Sequence, residues 1–176
     1  MIRQLITATV VALCCALPSG PDSAVAPVLG ERPGRIAGIS VSTVPPLEEF
    51  VASVANGQPG TVAGVYVPGV LALPVRGQPA RKPTYVTSAR NSVTQFGSAA
   101  RYRTIGLLAH NYLSGSLFFR LSFGQQVSII YGDATIRRYV VSSTRRFQAL
   151  SPNDPYSTFV DLDNRGALLS STRVFQ

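Results

Sequence analysis

The sequence predicts a mainly β fold, a β-barrel or sandwich with short helices. From residue 61 onward, short runs rich in valine, isoleucine, threonine and tyrosine alternate with turns marked by glycine or proline. The chain has no internal repeat and few stretches with apolar residues at helical spacing. With 176 residues, 45% of them hydrophobic, it is long enough to bury one domain core.

Residues 1–26 are typical of a signal peptide or an uncleaved N-terminal anchor. A short basic start containing Arg3 precedes the apolar run Leu5 to Leu17, which is too short to span a bilayer. Cleavage is expected after Ala16 or after Ala26. The segment predicts a secreted or cell-surface protein, which touches a membrane only through this segment if it is not removed.

Residues 27–46, rich in proline and glycine, are predicted to be a linker, and residues 47–176 the folded domain. The chain's two cysteines, Cys14 and Cys15, both lie within the apolar N-terminal run. The predicted domain therefore contains no disulfide and no thiol of its own.

Hydrophobic spacing predicts a helix from Leu47 to Val54. A second helix is expected from Ser92, as N-cap, to Arg103, and a third from Gly166 to Phe175. A helical turn is predicted at Leu117 to Leu121. The expected strands are Thr61–Val67, Val70–Val75 as an edge or bent strand, Tyr85–Thr87, a fully buried Ile105–Ala109, and a hairpin of Gln126–Tyr131 with Thr135–Leu150 around Gly132-Asp133.

The charge is strongly basic, with 16 basic residues against 8 acidic ones and a formal net charge of +8. This favours anionic partners such as cell-wall polymers. The two tight pairs, Arg137-Arg138 and Arg145-Arg146, are interpreted as solvated strand faces, with a binding patch as the alternative. No zinc-finger spacing or glycine-aromatic RNA-binding signature is present, so nucleic acid is not an expected partner.

His110 is the candidate catalytic residue. It is the only histidine in the chain, and it follows an apolar strand that would hold it firmly. A histidine alone is not a mechanism, because a nucleophile must lie within hydrogen-bond reach. A lone histidine is also commonly structural.

A serine-type catalytic site and a calcium site are two further hypotheses. A serine-type site would need Ser114, Ser116 or Tyr112 against His110, with an imidazole oriented by Asp133, Asp161 or Asp163, but no nucleophile turn is recognisable. No cofactor and no metal cluster are expected. A calcium ion held by Asp161, Asp163 and backbone carbonyls is the one metal alternative.

The passages GLLAHNYLSGSLFFRLSFGQQVSIIYGD and YVVSSTRRFQALSPNDPYSTFVDLDN resemble the central part of a sortase, a cysteine transpeptidase. The resemblance covers roughly residues 47–176, and Val62 to Val75 is similar to the opening strands. It aligns His110 with the family histidine, although Gln125 replaces the usual aspartate after the corner Gly124. The other matched positions are Phe118, Phe119, Leu121, Tyr139-Val140-Val141, Pro152 and Asp154.

The resemblance implies a closed β-barrel on the outer side of a bacterial membrane. It also implies cleavage of a sorting-signal peptide of surface proteins and its transfer to an amine through a cysteine thioester. The family's late strands, with the cysteine and the arginine, would follow Gln176, so the resemblance implies a partial sortase-like domain that retains the histidine. The alternatives are a non-catalytic exported β-module that binds anionic cell-wall polymers, and a hydrolase that uses His110.

Overall fold

A computed structural model defines the fold for residues 11–12, 44–82, 84–151, 154 and 157–175. The protein is mainly β, as predicted, with two sheets and few, short helices. Most of the expected signal segment and linker lies outside the described residues, and so does Pro152.

The large sheet is curled, with the strand order β1-β5-β4-β3-β2-β6-β7. Its strands are β1 (Val11–Ala12), β2 (Val62–Val67), β3 (Leu71–Gly77), β4 (Val93–Phe96), β5 (Gly106–Leu108), β6 (Gln126–Tyr131) and β7 (Ile136–Val140). A second sheet has the order β10-β9-β8, formed by β8 (Phe147–Ala149), β9 (Thr158–Asp161) and β10 (Ala167–Ser170).

The helices are short. They are α1 (Leu47–Val54), α2 (Ser171–Phe175) and two 3-10 helices, Gly97–Tyr102 and Ser114–Arg120. The first helix has the predicted bounds, and the predicted turn at Leu117–Leu121 falls in the second 3-10 helix. Among the described residues, none of these helices has the length and apolar character needed to cross a bilayer.

One face of the curled sheet holds the main core. Val65, Val67 and Ile129 are almost fully buried there, and Phe118 of the second 3-10 helix packs with them. Val65 lies opposite Ile129 in the antiparallel pairing of β2 with β6, so two strands distant in sequence form the centre of the core.

The helix α1 covers the other face of the sheet. Phe50 stacks on Tyr66 with ring centroids 5.9 Å apart, and Ile130 completes this smaller cluster. Gly64 makes the close approach feasible, because a Cβ at this position would lie 2.9 Å from the Phe50 ring. The apolar spacing that predicts the helix therefore also identifies the face that it buries.

The strand β3 is central, so of the two predicted alternatives, an edge strand or a bent strand, the edge strand is wrong. It pairs antiparallel with β2 as far as Pro74 and then parallel with β4 from Val75 onward. Proline lacks the N–H that a continuous ladder needs, and here it lies where the strand changes partners. This position explains why a proline is tolerated inside a central strand.

The predicted helix from Ser92 to Arg103 is wrong in its first half, which forms β4. Ser92 does not act as an N-cap, since its N–H donates to Ser114 Oγ at 3.0 Å and its hydroxyl donates to the Ala89 carbonyl. Thr94 is fully buried, and its Oγ1 accepts the Thr87 N–H. Contacts with distant segments therefore override the local helix signal.

Four other predictions need correction. Gly166–Phe175 forms β10 and only a short helix α2, and Tyr85–Thr87 is not a strand. The predicted arm Thr135–Leu150 divides into β7 and β8, which belong to different sheets, while β9 was missed. The strand β5 is half-buried and not fully buried.

The closed barrel is likewise not observed in the described part of the chain. There the large sheet is open, because β7 pairs with β6 alone and β1 with β5 alone. A closed barrel would have no edge strand.

Candidate functional site

His110 lies two residues after β5, beside the buried Ala109, and its side chain is half-buried. The chain turns sharply at this point. The backbone N–H groups of Leu113 and Gly115 both donate to the His110 carbonyl, at 2.9 and 3.0 Å. The histidine thus follows an apolar strand, as the sequence predicts, and the turn after it fixes its backbone.

Gly115 is required for this turn. A Cβ at this position would lie 2.8 Å from the His110 carbonyl oxygen and 2.9 Å from the Ala109 carbonyl oxygen. Both neighbours are backbone atoms, so neither can move aside cheaply. The glycine therefore permits the turn that follows His110, a role that the sequence pattern does not indicate.

The imidazole lies against a neighbouring tyrosine ring. It stacks on the exposed ring of Tyr112, with centroids 5.2 Å apart and an angle of 27° between the rings. Among the described residues no hydrogen bond to the imidazole is found. It is therefore held by stacking and by its backbone, and it has no fixed proton partner there.

The candidate serine nucleophiles are otherwise engaged. Ser114 is buried, and its Oγ accepts the Ser92 N–H. The exposed Ser116 donates its hydroxyl to the Leu113 carbonyl at 2.7 Å. The first contact joins this turn to the start of β4, the second lies within the turn, and no Ser–His pair is formed in the described part of the chain.

The candidate aspartates also have other partners. Asp133 accepts the Thr135 N–H in the turn between β6 and β7. The fully buried Asp161 accepts from the Arg145 guanidinium at 2.6 Å and from the Asp163 N–H at 3.0 Å. The structure therefore does not bring the aspartates together with His110.

Asp163 completes a second ion pair. Its Oδ1 accepts from the Arg146 side chain at 2.7 and 2.8 Å, and its Oδ2 accepts the Arg146 backbone N–H at 2.6 Å. These hydrogen bonds, led by the one from the Arg146 side chain, hold the pKa of Asp163 below its usual value.

The calcium alternative is not favoured by these contacts, because arginine and backbone donors occupy the oxygens of Asp161 and Asp163. Across the described ranges, no group of three histidine, cysteine or acidic side chains is placed to hold a metal ion. The pairing of these aspartates with Arg145 and Arg146 could not be predicted from sequence, because it depends on the register of β8 with β9.

An open cleft of about 410 Å³ adjoins the ion pair of Arg145 with Asp161. It is lined by Arg145, Asp161, Asn164, Leu169 and Arg173. Arg145 is neutralised by Asp161, whereas the Arg173 guanidinium has no acidic partner among the described residues. The cleft therefore carries one uncompensated positive charge, and it was missed in the sequence because its lining comes from separate segments.

Unpaired arginines are the most extensive charged feature of the surface. Of the described arginines, only Arg145 and Arg146 form ion pairs with aspartates. The others are all exposed and have no acidic partner within the described ranges: Arg76, Arg81, Arg90, Arg101, Arg103, Arg120, Arg137, Arg138, Arg165 and Arg173.

Comparisons with known proteins identify no relative: no protein-family model, curated protein or solved structure matches this chain.

Proposed function

We propose that the domain is a non-catalytic binding module for an anionic polymer of the cell envelope, recognised through its exposed arginines. The observation that carries this proposal is the set of exposed arginines without acidic partners. A guanidinium that is not neutralised within the protein is available to phosphate or carboxylate groups. Repeated anionic groups along a polymer can contact several such arginines at once.

The strand β7 carries two of these exposed arginines, Arg137 and Arg138. Arg137 lies opposite the core residue Ile129, and Arg138 lies opposite Ser128, so their side chains emerge on opposite faces of the edge strand. Arg137 also lies over the Tyr131 ring at 5.3 Å, which orients its guanidinium.

The backbone of β7 adds hydrogen-bond donors. The Tyr131 N–H donates to the Thr135 carbonyl, and the Val141 N–H donates to the Gln125 carbonyl. By the alternation of an antiparallel ladder, the backbone groups of Ile136, Arg138 and Val140 then face the outer edge, which pairs with no described strand. An anionic chain lying along this edge would meet both amide donors and guanidinium groups.

The test is a titration of the full chain with a poly(glycerol phosphate) wall polymer at several salt concentrations. Binding should weaken steeply as salt rises, because screening acts directly on exposed charges. The variant Arg137→Gln/Arg138→Gln should bind about tenfold more weakly at low salt. The control Arg76→Gln/Arg101→Gln removes the same charge from other elements and should have a smaller effect.

No binding at low salt, or binding that is insensitive to salt, would reject the module. Equal losses of affinity in the two double variants would indicate a diffuse electrostatic attraction. They would reject the specific role of β7.

A partial sortase-like domain is the second candidate, and the position of His110 favours it. The imidazole follows a strand of the curled sheet, is half-buried and lacks a hydrogen-bonded partner in the described residues, so a thiol could still be brought against it. In such a site the histidine would exchange protons with a cysteine nucleophile and the leaving amine.

The reading frame beyond codon 176 tests this candidate. It predicts a strand ending in cysteine, followed by an arginine. The longer product should cleave a sorting-signal peptide, and His110→Ala should abolish cleavage. A reading frame without that cysteine, or cleavage that survives His110→Ala, would reject the partial sortase-like domain.

A further inference from the structure

A rigid turn between the second 3-10 helix and β6 holds a phenylalanine in solvent. Phe123 occupies the second position of the turn from Ser122 to Gln125, and its side chain is 81% exposed. The next residue, Gly124, has φ of 79°, a conformation that favours glycine. These are the features of a type II turn.

The turn is fixed on both sides. The Gln125 N–H donates to the Ser122 carbonyl at 3.1 Å, and the Gln125 side-chain oxygen accepts the Ser122 N–H at 3.1 Å. Gly124 and Val141 are also joined, since the Gly124 N–H donates to the Val141 carbonyl at 2.8 Å. The exposure of Phe123 is therefore built into a hydrogen-bonded corner.

Other apolar groups accompany this ring. Phe119, four residues earlier, is 50% exposed, and Val140 at the end of β7 is 43% exposed. Val140 lies opposite Gln126, the residue after the turn. Phe119, Phe123 and Val140 are together called the apolar tip below. Phe119 and Phe123 are four positions apart in the chain, and the hydrogen bond from Gly124 to Val141 brings the turn beside the end of β7. Singly exposed apolar residues alone would call for no explanation.

Arginines adjoin the apolar tip. Arg120 is exposed and lies between the two phenylalanines in the chain, while Arg138 shares a face of β7 with Val140. Neither has an acidic partner among the described residues. Aromatic rings beside unneutralised cations are the combination that binds the interface of an anionic bilayer.

We propose that the apolar tip inserts Phe119 and Phe123 into the headgroup region of an anionic membrane, while Arg120 and Arg138 contact lipid phosphates. A second copy of the chain is a poorer occupant, because symmetric docking would bring like-charged arginines together. The proposal shares Arg138 with polymer binding by β7 but can be distinguished from it, since it depends on apolar side chains that a soluble polyanion does not need.

The chain contains no tryptophan, so Phe123→Trp introduces a single fluorescent reporter at the tip. The full-length variant is titrated with vesicles of phosphatidylcholine alone and with vesicles that also contain phosphatidylglycerol. Emission of the reporter should shift to the blue on the anionic vesicles. A matched reporter, Leu168→Trp, replaces a residue that is 65% exposed on β10 and should not shift.

Binding is then measured by vesicle sedimentation with chains that carry no reporter. Replacing both rings, Phe119→Ser/Phe123→Ser, should weaken binding to the anionic vesicles by about tenfold or more. The control Tyr102→Ser removes an exposed aromatic residue elsewhere and should leave binding unchanged. Arg120→Gln should weaken binding to anionic vesicles only.

The proposal is overturned if the tryptophan reporter at the tip does not respond to anionic vesicles, or if the double serine variant binds as well as the unchanged chain. The latter result would assign any vesicle binding to another segment, including the apolar N-terminal run. A blue shift produced by soluble poly(glycerol phosphate) instead of vesicles would also overturn it and assign the tip to the polymer.

Discussion

Arg146 holds Asp163 with both its main chain and its side chain. The backbone N–H donates to one carboxylate oxygen at 2.6 Å, and the guanidinium reaches the other at 2.7 Å. This double contact joins the segment before β8 to the turn after β9. It also lowers the pKa of Asp163 in the folded chain below its ordinary value of 3.8.

The stability of the fold should depend on pH through the ion pair of Asp163 with Arg146. Because the folded pKa of Asp163 is depressed, its stabilising contribution is complete above the unfolded pKa and is lost as pH falls through the folded value. Thermal melts of the chain and of Asp163→Asn should therefore differ near pH 6. The difference should fade progressively below about pH 4. A difference in melting temperature that stays constant down to about pH 2 would contradict the assignment.

The buried carboxylate of Asp161 should stabilise the fold through its ion pair with Arg145. Arg145→Gln leaves Asp161, which is fully buried, without its cationic partner. We expect a loss of about 1–3 kcal/mol in the free energy of unfolding, reduced from the fully buried case because Arg145 is itself half exposed. Urea denaturation measures it, and Arg138→Gln, which removes an unpaired arginine, is the control. Equal stabilities of the two variants would show that the ion pair contributes nothing.

Gly132 should tolerate no side chain. A Cβ there would lie 2.6 Å from the Gln58 carbonyl oxygen and closer still to the Asn56 side chain. The Gly132 carbonyl also accepts the N–H groups of Asn56 and Gly57, which fastens the end of α1 to the hairpin. We expect Gly132→Ala to cost about 2 kcal/mol or more in urea denaturation. The control Gly77→Ala, where a Cβ meets nothing within 4 Å, should cost less than half as much.

The turn that positions His110 can be tested through Gly115. We expect Gly115→Ala to displace the backbone at His110 and to destabilise the fold by about 1–3 kcal/mol. The NMR signals of the His110 ring should shift, because its stacking on Tyr112 depends on this turn. Gly77→Ala, where a Cβ meets nothing within 4 Å, is the control. Unchanged His110 signals in Gly115→Ala would show that the glycine does not position the ring.

Local patterns predicted the parts of the fold that local physics determines. Leu47, Phe50, Val51 and Val54 lie at helical spacing, and they form one helix against one face of the sheet. Val127 to Tyr131, followed by Gly132-Asp133, predicts a hairpin because turn and strand signals agree there.

The errors occur where a distant partner decides the structure. Ser92 has the chemistry of an N-cap, but the Ser114 hydroxyl, 22 positions later, accepts its N–H. The site was predictable only in part for the same reason. The sequence places His110 after a strand, whereas the engagement of Ser114 and of Asp161 depends on contacts between separate segments.

The pairing of Val65 with Ile129 also has a kinetic consequence. The centre of the main core needs β2 from the first half of the domain and β6 from the second half, with a parallel β3–β4 pair formed between them. Such non-local pairings delay folding until most of the domain is available. The entropy cost of closing long loops must be met before the strand contacts can stabilise the fold. A nascent chain that ends before residue 126 therefore lacks the strand that completes its core. If the chain is exported as its N-terminus predicts, this late collapse would help to keep it unfolded during translocation.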